Sequence, residues 1–167
     1  MQVEKEYLNI IYKRFENAFG RITHAINQLD NQQIWNHSSN DLNSIGIIVQ
    51  HLNGNLNQWI CSAIGGEIFN RNRSQEFVEE ERKSKEEILL LISTLRRKLQ
   101  DIICNVSPES LLSYRRIQGF DETVMSALLI SLTHFELHVG QVMLLAKLIL
   151  GDKYKVSWQP TTAEQGK

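Results

Sequence analysis

The stretch from Thr123 to Leu150 constrains this chain most. It runs for roughly 25 residues with dense apolar content, no proline and one glycine, Gly140, which predicts a single long helix. His134 and His138 stand four apart within it. At about 100° per residue they share a face, one turn from each other. Gln141 falls on the same stripe, with Ala127, Ile130 and Ser131 before the pair and Leu145 and Leu148 after it. The pair is therefore expected to point where the core points. Polar groups in an apolar stripe must find partners or they cost stability. Two imidazoles at this spacing suit a metal ion such as zinc. A hydrogen-bonded core pair is the alternative that the spacing leaves open. The pair is not the His-Glu-x-x-His motif of zinc proteases. Here Glu136 sits about 160° around the helix from His134, on the side away from any ion.

A length of 167 residues predicts one domain, 1–167, large enough for a core of its own. The 18 basic and 19 acidic residues nearly balance, and no basic face interleaved with aromatics appears, so nucleic acid is not an expected partner. The scarcity of prolines and β-branched runs predicts an all-α fold. Cys61 and Cys104 make no disulfide framework and read as small buried apolar residues. The first residues carry no signal-peptide pattern. No apolar run of about 18 residues is free of polar groups, so no membrane span is expected and the cytoplasm is the default location.

Three further helices precede the histidine helix. Leu8, Ile11, Phe15, Phe19, Ile22, Ile26 and Leu29 keep a helical period and predict the first helix from about Val3 to Leu29. His24 falls off that stripe, and His37 sits in the turn-forming run Asn36 to Asp41. Both are expected at the surface. The second helix is expected to start at an Asn43 or Ser44 cap and to run to Ile64, before Gly65 and Gly66. His51 borders its apolar stripe. Asn55 follows one turn later, and Gln58 and Trp59 two turns later, an edge suited to a polar pocket wall. Glu76 and Glu79 to Glu81 form an acidic run, read as solvated. Ser84 and Glu87 form a capping box for the third helix, which ends near Cys104. Ser107 and Pro108 predict a short helix, Tyr114 to Phe120 an irregular or extended link, and Asp121 or Thr123 a cap for the last helix. That last helix has a second apolar stripe: Leu128, Leu132, Val139, Met143, Ala146 and Leu150. It needs a cover, either the tail with Tyr154 and Trp158, the 105–122 segment, or a second subunit.

Four amphipathic helices, one histidine in the second and a His-x-x-x-His pair in the fourth, resemble the DinB-like (YfiT-like) superfamily. The likeness is carried by the segment Ser44 to Leu52 around His51, by Gly54, Asn55 and Trp59, by Arg71, Arg73, Glu76 and Phe77, and by the segment His134 to Gln141. It spans nearly the whole chain, and the end of the tail, Trp158 to Lys167, matches only loosely. The resemblance implies a four-helix bundle with an irregular C-terminal tail from about residue 151. It implies that His51, His134 and His138 bind a divalent metal, zinc or nickel. Relatives of that superfamily include transferases and isomerases that use a low-molecular-weight thiol, and others assigned as hydrolases.

Three neutral imidazoles without a carboxylate leave coordination positions open, as in catalytic zinc sites. Such an ion can acidify a bound water or hold a thiol as its nucleophilic thiolate. Asn55, Trp59 and Gln141 are expected to line the pocket. Helical spacing places no carboxylate there to act as a base, which favours a thiol-dependent S-transferase acting on a small electrophile. A metal-dependent hydrolase and a non-catalytic metal-binding or dimeric scaffold are the alternatives. A homodimer is the expected assembly.

Overall fold

In the computed structural model, residues 2–37, 39, 41–80 and 82–158 are described. Most of them are helical, as an all-α fold requires. Four long helices hold the core: α1 (Gln2–Asn27), α3 (Ile45–Leu56), α4 (Lys85–Asn105) and α5 (Val124–Leu150). A one-turn helix, α2 (Asn31–Ile34), lies between the first two. Helix α1 packs against α5 and α4, and α3 packs against the same two.

The helix starts are set by local chemistry. Ser44 accepts the Ile47 amide, and Thr123 accepts the Ser126 amide. Ser84 and Glu87 form the reciprocal capping box. The second predicted helix does not run straight to Ile64. From Asn57 to Ser62 the backbone widens into a π-helix, with the Ala63 amide on the Gln58 carbonyl and the Gly65 amide on the Ile60 carbonyl. Such widened turns recur at functional sites.

The expected irregular link is a two-stranded antiparallel hairpin. Strand β1 (Tyr114–Ile117) pairs with β2 (Phe120–Thr123), Tyr114 facing Thr123 and Ile117 facing Phe120. Gln118 and Gly119 both take positive φ, 52° and 91°, as a two-residue primed turn demands. The short helix predicted after Ser107 is a 3₁₀ turn, Pro108–Leu112.

Helix α5 corrects the sequence reading of its two stripes. Leu128, Leu132, Val139 and Ala146 are buried, and Phe135 lies against Phe15 and Phe19 of α1 with ring centroids 5.8 and 4.6 Å away. The stripe expected to need the tail, the 105–122 segment or a second subunit as its cover is thus core. The histidine stripe is left partly open instead: Leu148, expected on it and in the core, is 66% exposed, and Leu137 and Leu144 beside it are 62% and 58% exposed. Periodicity reveals two apolar faces but not which one receives α1.

The segment Val124–Lys153 is long and apolar enough to cross a membrane by length and composition, yet core helices pass the same test. Its Glu136 is ion-paired with Arg14 and Arg21 of α1.

Two smaller expectations also change. Cys61 is buried, and burial pushes its thiol up to about 12, but Cys104 is exposed. The tail starts with a 3₁₀ turn, Gly151–Lys153. Beyond it, Tyr154 packs against the core while Trp158 is exposed. The rest of the predicted tail, 159–167, lies outside the described residues.

Candidate metal centre

Helix α3 packs on α5, and that contact brings together histidines far apart in sequence. His51 Nε2 lies 3.0 Å from His134 Nε2. The His138 ring centroid is 4.5 Å from that of His134 and 5.1 Å from that of His51. Each of the three offers a ring nitrogen, and these atoms all lie within 4.8 Å of one another. A tetrahedral ion with Zn–N bonds of 2.0–2.1 Å would set its nitrogens about 3.3 Å apart. The donor set and its spacing therefore fit a divalent ion. The site sits at the edge of the core, with His51 buried and the α5 pair half-buried.

The other nitrogen of two of these rings is engaged. His138 Nδ1 donates to Gln141 Oε1 at 2.7 Å, three residues on, which leaves Nε2 bare. His51 Nδ1 lies 3.0 Å from Glu76 Oε2. Glu76 is itself buried, and Arg71 donates to both its oxygens, Nε to Oε1 at 2.6 Å and Nη2 to Oε2 at 2.8 Å. The third arm of Arg71, Nη1, donates to Gln58 Oε1, which also accepts from Gln118 at the hairpin tip. Phe77 packs its ring 5.4 Å from that of His51.

Burial holds all three histidines below their ordinary pKa. His134 is pushed down to about 4, by burial first and then by its two histidine neighbours. For His51 burial outweighs the opposing pull of Glu76, and for His138 it outweighs the Gln141 bond. All three are therefore neutral at neutral pH, the form that ligates metal.

The sequence profile of the family described as "Protein of unknown function (DUF1572)" matches residues 2–162. The chain belongs to the DUF1572 family. Among curated proteins, none matches it.

In this DUF1572 member the three histidines expected at the site do converge. Of the pocket residues proposed from sequence, Gln141 touches the centre through His138. Asn55 lies one turn beyond His51, and its Oδ1 is buried without a hydrogen bond among the described residues. Trp59, carried on the π-helix, turns its indole N–H to Gln118 at 3.3 Å. The other two histidines have separate partners: His24 Nε2 meets the Lys155 carbonyl, and His37 bridges the Leu42 carbonyl and Glu79.

The acidic run was not solvated throughout. Glu76 lies in a 3₁₀ turn, Ser74–Phe77, beneath His51, and Glu79 accepts from Ser44. No helical spacing could place that carboxylate, because it arrives from a loop. General chemistry asks for such a group without naming the residue, and the structure shows the room made for it. A ligating histidine needs a partner on its second nitrogen. Gly54, three residues after His51, leaves space that a methyl group would take from the Glu76 carboxylate.

Proposed function

We propose that this protein is a divalent-metal protein of the DinB-like four-helix bundle type, binding zinc or nickel through His51, His134 and His138. The convergence of three neutral imidazoles carries the reading. Bound there, the ion would supply Lewis acidity and hold a thiol in its thiolate form.

The activity that suits this site best is thiol-dependent transfer to a small electrophile, in the cytoplasm. Hydrolysis needs a base for water, and the carboxylate at the site, Glu76, is committed to Arg71 and His51. The chain's own residues then divide the work. The histidines fix the reacting centre, Gln141 and Glu76 orient two of them, and the half-buried α5 edge admits substrate. The experiment is transfer of low-molecular-weight thiols to electrophilic probes by metal-loaded and metal-stripped protein. Activity confined to the loaded form supports the enzyme. Tight metal binding without turnover leaves a metal-binding scaffold.

We also propose a homodimer. Its surface is the exposed stripe of α5, Leu137, Leu144 and Leu148, which would otherwise face water.

A further inference from the structure

We propose that Glu76, clamped by Arg71, is the positioning residue for His51: it holds the ring with its proton on Nδ1, so that Nε2 alone is offered to a ligand. The inference rests on the metal-site reading for its consequence, but the geometry behind it is independent.

Arg71 donates to the Glu76 carboxylate through Nε and Nη2, and His51 Nδ1 lies 3.0 Å from Oε2. Arg71 Nη2 also passes 3.4 Å from His51 Nδ1, but it already donates to Glu76 Oε2 at 2.8 Å, so the shorter contact to the carboxylate sets the ring. A carboxylate only accepts, so His51 must bring a hydrogen to Nδ1. Its Nε2 is then free of hydrogen and faces His134 Nε2.

The pair is built in rather than incidental. The Arg71 and Glu76 side chains are only 4% and 8% exposed, although both are charged. Charges are buried at such cost only when paired and hydrogen-bonded. A methyl group on Gly54 would overlap the carboxylate, so the backbone of α3 is cut away to admit it. Arg71 is braced in turn by Gln58 on the π-helix, and Gln58 by Gln118 on the hairpin.

The test uses the full chain and three proteins: wild type, Glu76→Gln and Gly54→Ala. Glu76→Gln puts an amide N–H₂ among donors and removes the charge. Gly54→Ala keeps every charge and displaces the carboxylate, so it decides the matter if Glu76→Gln does not fold, with circular dichroism as the check. In metal-free protein, nitrogen-15 NMR of the His51 ring should show protonated Nδ1 and bare Nε2 in wild type. Both variants should show a mixture of tautomers. Zinc titration should then show affinity lowered roughly 10- to 100-fold in both. The same His51 tautomer in wild type and variants, or unchanged zinc affinity despite a changed tautomer, overturns the proposal. If wild type takes up neither zinc nor nickel, the metal reading fails on its own, and the tautomer comparison alone decides the positioning role.

Discussion

His51 Nε2 and His134 Nε2 stand 3.0 Å apart although 83 residues separate them in the chain. Without an ion, one of these nitrogens must carry a hydrogen for the other to accept. An ion held there would need both nitrogens free of hydrogen. Alanine at His51, His134 or His138 should therefore each weaken zinc binding by more than about 100-fold, beyond the usual loss for a supporting residue. Alanine at His24 or His37 should leave binding unchanged, since those rings have other partners. Calorimetric titration of zinc and nickel into all five variants checks this. Equal loss across the five would retire the triad.

Protons should compete poorly for the site. Free histidine titrates at about 6.5, and exposed ligands would lose metal as pH falls through that value. Burial holds all three ligands below that range, His134 at about 4. Zinc affinity should therefore begin to fall only below the pH at which exposed histidine ligands would lose it, and His134 should stay in its ligating form down to about pH 4. A tenfold loss already complete at pH 6 would contradict the burial argument.

The same shift sets how the metal-free fold responds to acid. Above pH 6.5 neither the folded nor the unfolded chain protonates His134. Between 6.5 and about 4 the unfolded chain takes the proton and the folded one does not, so stability falls as pH falls. Below about 4 both carry it and this loss ceases. Urea midpoints of metal-free protein should decline across that window, less so in His134→Gln. Parallel curves for the two proteins would assign the decline to other groups.

Phe135 is the hinge of the α1–α5 contact, touching both Phe15 and Phe19. Phe135→Ala should cost about 3–5 kcal/mol, the range for emptying a buried aromatic site. Chemical denaturation would measure it, and a cost below 1 kcal/mol would mean that the core collapses around the gap. Because Phe135 adjoins His134, metal affinity should fall with it.

Sedimentation tests the dimer. Wild type should sediment as a dimer at micromolar concentration, and Leu144→Glu as a folded monomer. A monomeric wild type would leave the α5 stripe without a second copy as its cover.

The sequence by itself determined the four long helices and placed their starts to within about two residues. Ser44, Ser84 with Glu87, and Thr123 act on amides three residues away, so their work is finished within one turn. It also determined that His134 and His138 would be neighbours, since helix geometry alone sets that spacing. Tertiary structure decided everything that depends on which surfaces meet. Helix α5 has two apolar faces, and only the docking of Phe15 and Phe19 chose the one bearing Phe135 and Val139. The widening at Asn57–Ser62 has no proline or glycine within it to mark it in the sequence. Glu76, read from sequence as part of a solvated acidic run, is buried beneath His51 instead. A carboxylate's burial depends on the Arg71 and His51 that surround it, and a loop has no period from which to foresee that meeting.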